Sequence, residues 1–176
     1  RPMARRDILI APHPTLKTPA APVGTVDDGV HALVDDMFET MYAAPGIGLA
    51  APQIGIKQRL VVIDVAGKDE PPQPMVLVNP EIVAEGEGRV VAEEGCLSLP
   101  DIYADVERPE RVFVRFVDRD GATREMDVDG LLARCVQHEI DHLNGVLFVD
   151  HLSMLKRKML MRKLAKQMRE KERKAS

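Results

Sequence analysis

Two histidines and a glutamate lie close together in the run Gln137-His138-Glu139-Ile140-Asp141-His142. On an α-helix, residues four apart project from nearly the same face, one turn apart. His138 and His142 could therefore reach one metal ion, with Glu139 beside it as a general base. The alternative is a solvated helix that happens to carry two histidines, but the chain has only 5 His in 176 residues. The pattern favours a metal-dependent hydrolase site.

A catalytic tetrahedral metal site needs a third protein ligand and keeps one open position for water. Cys96 is the strongest candidate, because Gly95 before it lets the backbone approach closely. Cys135 is the second candidate, since it lies three residues before His138 and thus on a similar face of a helix. A downstream acid or histidine is the third. The residues alone leave this choice open.

Two other functions stay open at this point. A zinc endopeptidase of the H-E-x-x-H type would cut internal peptide bonds, but Phe148 stands where metzincins place their third histidine. A non-catalytic structural zinc module would close all four metal positions with side chains. Its four ligands would be Cys96, Cys135, His138 and His142.

Composition narrows the class of protein. The content of hydrophobic residues is 45% and of charged residues 30%, which suits one folded domain of 176 residues. Aromatic residues are only 3%, and the net charge is −4. We therefore expect no sequence-specific nucleic-acid binding by the chain as a whole. No apolar run approaches the length of a membrane span, so no membrane association is expected. Nothing marks the chain as secreted, which predicts a cytoplasmic protein with free cysteines.

Hydrophobic periodicity predicts an α+β fold. A central metal-binding helix, from about Asp129 to Asn144, should pack among small, mostly antiparallel β-sheets. An N-terminal helix should begin near Thr25 and end before Pro45, and a C-terminal helix should run from about Leu152 to Lys174. Strands are predicted at residues 59–65, 75–83, 89–93, 111–117 and 123–128, and residues 7–24 should be extended.

The sequence as a whole resembles the bacterial peptide deformylases. Three motifs carry the resemblance, in the order in which that family has them. They are Gly46-Ile47-Gly48-Leu49-Ala50-Ala51-Pro52-Gln53, Glu94-Gly95-Cys96-Leu97-Ser98 and the histidine motif from Gln137 to His142. The resemblance implies an enzyme, a metallo-amidohydrolase that removes formate from the N-terminal formyl-methionine of newly synthesised polypeptides.

The resemblance also assigns roles to the motif residues. Cys96, His138 and His142 would be the ligands of one divalent metal ion. Fe²⁺ is the ion expected in the cell, and Zn²⁺, Ni²⁺ or Co²⁺ would substitute for it, since thiolate and imidazole suit all of these. Glu139 would accept the proton of the attacking water. Gln53 and the backbone N–H of Leu97 would donate to the oxyanion.

The resemblance further implies a peptide-binding groove and a partner. The peptide main chain would pair in strand fashion with Ile47 and Gly95, next to Gly48. A pocket for a methionine-sized side chain would be lined by Ile47, Leu131, Cys135 and the aliphatic part of Arg134, where an aliphatic residue would be expected. The substrates would be nascent N-formyl-methionyl peptides.

The last 26 residues differ from the rest in charge. Residues 151–176 contain ten Lys/Arg and two Glu, whereas residues 1–150 contain 14 Lys/Arg and 26 Asp/Glu. We predict that residues 1–150 form the catalytic domain and that residues 151–176 form a basic amphipathic helix within the same domain. The expected apolar stripe comprises Leu152, Leu155, Met159, Leu160, Leu164 and Met168. By resemblance, this helix would dock on the ribosome; the alternative is a solvated helix packed on the domain.

Overall fold

The computed structural model describes residues 4–176 and confirms the predicted α+β fold. Within these residues the helices are α1 (Asp28–Ala43), α2 (Gly130–Leu143) and α3 (Met154–Ala175). Short 3₁₀ turns lie at Pro14–Lys17, Ala51–Ile54 and Phe148–His151. The first three residues of the predicted domain 1–150 lie outside the described residues.

The strands form two antiparallel sheets. They are β1 (Gly48–Ala50), β2 (Leu60–Ile63), β3 (Met75–Glu85), β4 (Arg89–Cys96), β5 (Leu99–Pro109), β6 (Arg111–Val117) and β7 (Thr123–Asp129). Along the described chain, one sheet has the order β1-β2-β3-β6-β7 and the other is the β4–β5 hairpin. β6 pairs in register with β7 from Arg111–Asp129 to Val117–Thr123, as the predicted hairpin requires.

Two strands were absent from the sequence prediction. β1 is only three residues long, and glycine and alanine carry no strand signal. β5 has eleven residues, and its buried side chains alternate with exposed ones. The alternation was obscured because Asp101, Asp105 and Glu107 occupy the outward positions, and acidic residues are depleted in strands. β4 also continues to Cys96 and does not end at Glu93.

The helices are shorter at their N-termini than predicted: α1 begins at Asp28 and not near Thr25, and α3 begins at Met154 and not at Leu152. The side chain of Asp27 accepts a hydrogen bond from the backbone N–H of Val30 (3.0 Å) and so caps α1. α2 is followed by Gly145, whose φ is +74°. A Cβ there would lie 2.6 Å from the carbonyl oxygen of Lys17, which explains why glycine ends this helix.

The predicted apolar stripe of α3 is only partly correct. Leu160 and Leu164 are buried, and Leu152 and Met168 pack partly against the same cluster. Leu155 is 81% exposed and Met159 is 58% exposed, together with Met154 at 64%. The difference arises because α3 packs on one side only, against β5 and the 3₁₀ turn at Phe148–His151, so a narrow stripe suffices.

Three apolar clusters form the core. The first joins α2 to the five-stranded sheet through Val136, Ile140 and Leu143 on the helix and residues such as Ile63 and Leu77 on the strands. The second joins β5 to α3 and to the 3₁₀ turn at Phe148–His151. The third packs α1 on β1 and β2. The strand β5 and the helix α2 therefore belong to different clusters.

The N-terminal segment crosses between these parts, and it is extended only in part, because a 3₁₀ turn at Pro14–Lys17 interrupts the predicted extended residues 7–24. The backbone N–H of Leu9 donates to the carbonyl of Gln53 (2.7 Å), and that of Ala11 donates to the carbonyl of Ser98 (2.9 Å). The segment thus links the backbones of the first and second motifs. Among the described helices, none combines the length and hydropathy needed to cross a membrane.

Candidate active site

Helix α2 carries both histidines and Glu139 on its buried face. The rings of His138 and His142 meet edge to face with centroids 5.0 Å apart, as the spacing of four residues predicts. The ring of Phe148 stacks against His138 at 6.2 Å. All three α2 side chains are buried, because the opposite face of α2 packs on the five-stranded sheet and the hairpin covers this one.

Cys96 comes from the end of β4 and meets the two histidines. Its Sγ lies 3.3 Å from Nε2 of His142. The ligand atoms of Cys96, His138 and His142 all lie within 4.8 Å of one another. The β4–β5 register shifts between Glu94 and Cys96, and this irregularity lies at the point where the strand delivers the thiol.

The chemistry of these three donors fits a divalent transition metal. One thiolate and two imidazoles are the ligands that Fe²⁺, Zn²⁺, Ni²⁺ and Co²⁺ share. The group found in the described residues has three members and does not include Cys135. The thiol of Cys135 instead faces the carbonyl of Ile47 at 3.8 Å, and burial raises its pKa well above the usual value. This geometry does not support the closed Cys₂His₂ module.

Glu94 orients His138 from the hairpin side. Its Oε1 lies 3.1 Å from Nδ1 of His138, which leaves Nε2 to face the cysteine. The guanidinium of Arg108 donates to both carboxylate oxygens, at 2.6 and 2.9 Å. Arg108 also donates to Asp141 (2.9 Å). Burial raises the pKa of Glu94, but the contacts with Arg108 and His138 outweigh it and hold the pKa well below its usual range.

Glu139 faces the same space from α2. Burial, opposed by the positive groups of His138 and Arg108, raises its pKa to about 7. Its Oε1 is buried and has no hydrogen-bond partner among the described residues. Gly48 lies against it: a Cβ at that position would come within 2.6 Å of Oε2 of Glu139. A buried carboxyl group with one unpaired oxygen is suited to take up and release a proton.

Gln53 is held in place from both ends of its amide. Its Oε1 accepts from the backbone N–H of Ala50 (2.9 Å). Its Nε2 donates to Oγ of Ser98 (3.1 Å) and lies 3.6 Å from Sγ of Cys96. The amide therefore points its donor end at the cluster, which is where an oxyanion donor would be needed.

A cavity of about 550 Å³ connects these groups. Its lining includes every predicted site residue except His142, which is 1% exposed. From the first motif these are Ile47, Gly48 and Gln53; from the second, Gly95, Cys96 and Leu97; from α2, Leu131, Arg134, Cys135, His138 and Glu139. Gly95 is pressed against Tyr103, since a Cβ there would lie 2.6 Å from the tyrosine ring.

Two contacts at the site were not predicted from the sequence. The guanidinium of Arg134 donates to Oε2 of Glu94 (2.6 Å), although only the aliphatic part of Arg134 was expected to matter. Nε2 of His151 lies 2.8 Å from Asp141. No local spacing pattern signals either contact, because each joins residues on different elements.

Comparisons with known proteins find similar sequences along most of the chain. A family model described as polypeptide deformylase matches residues 5–158. The peptide deformylase of Rhizobium meliloti (strain 1021) is 53% identical over 164 residues, which are 93% of this chain and 94% of that protein.

Solved structures of similar proteins show the same fold. A peptide deformylase from Legionella pneumophila is 52% identical, with a TM-score of 0.90 over 97% of this chain and 99% of that chain. A peptide deformylase from Ehrlichia chaffeensis in complex with actinonin is 40% identical, with a TM-score of 0.89 over 94% of this chain and 98% of that chain.

Proposed function

The chain belongs to the polypeptide deformylase family and is a hydrolase that removes the formyl group from nascent peptides, and we propose that the cavity between α2 and the β4–β5 hairpin is its active site. One observation carries this assignment: a thiol and two imidazoles from distant parts of the chain lie within 4.8 Å of one another beside a buried glutamate.

The family and the Cys-His-His group support a divalent metal. We propose that Cys96, His138 and His142 hold it, and that Fe²⁺ is the ion in the cell, with Zn²⁺, Ni²⁺ or Co²⁺ able to substitute. A divalent ion at this place supplies Lewis acidity, which lowers the pKa of a water molecule to about 7 in favourable sites. Glu94 supports the set by fixing which nitrogen of His138 faces it.

Glu139 handles the protons in the proposed reaction. Its carboxylate takes a proton from the water that attacks the formyl carbon, and the new C–O bond forms as the carbonyl electrons move onto oxygen. The C–N bond then breaks, and Glu139 delivers the proton to the leaving nitrogen, which becomes the free amine of methionine. Formate is the other product. The buried, half-unpaired carboxyl group of Glu139 supports this role.

The negative charge on the formyl oxygen needs donors that are already in place. We propose Nε2 of Gln53 and the backbone N–H of Leu97 as these donors. The anchored amide of Gln53 supports the first assignment, because an ordered donor costs no reorganisation as charge develops. The position of Leu97 directly after Cys96, on the cavity lining, supports the second.

The substrate groove follows from the same lining. We propose that the peptide main chain pairs with Ile47 and Gly95, and that its first side chain enters between Leu131, Arg134 and Cys135. Gly48 keeps this space open, since a Cβ there would meet both Glu139 and Cys135.

Because the substrates are nascent formylated peptides, we propose a cytoplasmic location and contact with the ribosome through α3. The exposed basic residues of that helix support this contact through attraction to RNA phosphates. We also propose that residues 151–176 belong to the same domain as residues 1–150, because Leu160 and Leu164 are buried against β5.

Formate release from formyl-Met-Ala-Ser tests the active site. Glu139→Ala should retain bound metal, measured by elemental analysis, while its rate falls by about 10²–10⁴-fold. Glu172→Ala, an exposed glutamate in α3, is the matched control and should keep the wild-type rate. Wild-type activity in Glu139→Ala would exclude its role as the base. Digestion of casein by the wild-type enzyme would instead favour the endopeptidase alternative.

The ribosomal contact needs a variant that leaves the α3 packing intact. Deleting the helix would also remove Leu160 and Leu164 from the core, so charge reversal is the better test. Replacing the exposed residues Lys158, Arg162 and Lys166 by Glu should abolish co-sedimentation with ribosomes and leave hydrolysis of formyl-Met-Ala-Ser unchanged. Undiminished co-sedimentation would contradict the proposal.

A further inference from the structure

Arg134 stands on the cavity wall, but its charge does not face into the open space. The guanidinium donates to three acceptors on the opposite hairpin. They are Oε2 of Glu94 (2.6 Å), the carbonyl of Val106 on β5 (2.9 Å) and the carbonyl of Val90 on β4 (2.7 Å). The side chain is only 13% exposed. One residue of α2 therefore bonds to both strands of the hairpin and to the carboxylate that orients His138.

These bonds cross the boundary between two apolar clusters. The buried apolar residues of α2 pack with the five-stranded sheet, while those of β5 pack with α3. The helix and the hairpin are joined mainly by polar side chains: besides Arg134, Gln137 donates to the carbonyl of Pro109 (3.0 Å) and Arg108 to Asp141 (2.9 Å). Arg134 lies nearest the pocket among these, one turn from Leu131 and next to Cys135.

The chemistry of arginine makes this joint rigid. A guanidinium is planar and always charged, and it presents its donors in a fixed fork, so three acceptors at once determine both its distance and its orientation. The pocket for the first side chain of the peptide lies between α2 and the hairpin, which are the two elements that Arg134 joins. The width of the pocket thus depends on these bonds, while the aliphatic stem supplies an apolar surface to it.

We propose that Arg134 is a specificity-determining residue, which fixes the width of the first-residue pocket by clamping α2 to the β4–β5 hairpin. This inference depends on the proposed function, since the cavity must be the peptide site. A clamped pocket admits a long, unbranched side chain and resists a wider one, because widening would break three hydrogen bonds that a charged guanidinium donates.

The test separates the guanidinium from the stem. Arg134→Met keeps an unbranched apolar side chain and removes every donor, whereas Arg134→Lys keeps a charge that cannot bridge three acceptors. The measured quantity is the ratio of kcat/KM for formyl-Met-Ala-Ser to that for formyl-Phe-Ala-Ser. We expect Arg134→Met to lower this ratio by about tenfold. The loss on the methionine substrate should appear mainly in KM. The ratio of Arg134→Lys should lie between those of Arg134→Met and the wild type.

Arg115→Met is the matched control. Arg115 lies on β6 and pairs with two exposed glutamates, Glu81 (3.0 Å) and Glu125 (3.2 Å), away from the cavity. This variant should keep the wild-type ratio. Thermal unfolding of every variant checks that the variant is folded. If Arg134→Met does not fold, Arg134→Lys serves as the test.

Binding of product peptides to the metal-loaded protein gives a readout without turnover. Calorimetry with Met-Ala-Ser and Phe-Ala-Ser should show the same shift in relative affinity in Arg134→Met. A substrate ratio in Arg134→Met within twofold of wild type in both assays would overturn the clamp. An equal fall in kcat for both substrates would also overturn it, because the substitution would then act through Glu94 and His138 and not through the pocket. If the wild-type enzyme released no formate but bound Met-Ala-Ser in preference to Phe-Ala-Ser, and Arg134→Met lost this preference, the proposed chemistry would fail while the clamp stood.

Discussion

The two walls of the cavity are held by different forces. The α2 wall rests on apolar packing against the five-stranded sheet, through side chains such as Val136 and Leu143, neither of which is exposed. The hairpin wall rests on a separate apolar cluster with α3. Between the walls the contacts are polar and mostly charged, and Glu94 on the hairpin takes part in two of them, with Arg134 and His138 on α2.

This difference separates the interactions that stabilise each wall from those that set the distance and angle between the walls. Apolar packing is not directional, so it can hold each wall in place without setting the angle and distance between the walls. Charge-assisted hydrogen bonds are directional, and here they connect the thiol-bearing strand to the histidine-bearing helix. The relative position of Cys96, His138 and His142 therefore depends on the charged contacts, and the stability of each wall depends on its own cluster.

Replacing the carboxylate at the centre should have the largest effect. Glu94→Gln keeps the shape but leaves the buried guanidinium of Arg108 and the partly buried guanidinium of Arg134 without their shared negative partner. Removing one partner of a buried ion pair costs about 3–5 kcal/mol, so the free energy of unfolding should fall by that amount in urea titrations. Formate release should fall as well, because His138 loses its fixed orientation.

Glu107→Gln, on the other strand of the same hairpin, is the control for that substitution, since Glu107 is exposed and does not line the cavity. It removes the same charge and should leave both unfolding and activity nearly unchanged. Equal effects of the two substitutions would mean that the loss is one of net charge, and the comparison between the walls would fail.

Truncations within the two clusters should cost somewhat less and should cost similar amounts. Leu77 on β3 and Leu164 on α3 are 0% and 1% exposed, and each belongs to one of the two clusters. Leucine-to-alanine changes in such places cost about 2–5 kcal/mol. Urea unfolding of Leu77→Ala and Leu164→Ala measures both. If Leu164→Ala cost nothing, α3 would not support the hairpin wall.

Gly48→Ala tests the place where the α2 wall meets the first motif. The new Cβ would lie 2.6 Å from Oε2 of Glu139 and 2.8 Å from Sγ of Cys135, so the carboxylate must move. Overpacking of this kind costs about 1–3 kcal/mol of stability. A displaced catalytic group loses about 10²-fold in rate. Gly24→Ala, where a Cβ meets nothing within 4 Å, should change neither quantity; a similar loss there would indicate a backbone effect.

The sequence predicted the parts of the molecule that have a local signal. Helical periodicity located α2, and the glycine at position 145 marked its end, because the backbone there needs a positive φ of +74°. The strands β2, β6 and β7 are marked by runs of β-branched residues or by a hairpin turn. β5 was missed because its outward positions carry acidic residues, so the alternation of buried and exposed positions did not appear as a strand.

The candidate site shows the same limit. The three motifs identified the candidate metal ligands and catalytic residues, since each motif is contiguous in the sequence. The Arg134 clamp could not be foreseen, because it joins positions 40, 28 and 44 residues apart in sequence, and two of its acceptors are backbone carbonyls that carry no residue type. Contacts of this kind depend on how the two walls meet, which only the fold determines.

The smallest effect is expected at the exposed edge of the charged contacts. His151 meets Asp141 at 2.8 Å, and the histidine side chain is 38% exposed. Pairs of this kind contribute about 0–1 kcal/mol, so His151→Asn should change unfolding by less than that amount. Asp141 keeps its bond to Arg108 in this variant, which protects the buried contacts. A loss in the free energy of unfolding as large as that of Glu94→Gln would show that the charged contacts act as one unit out to the surface. The two walls would then depend on each other for stability, in contrast to what their separate apolar clusters indicate.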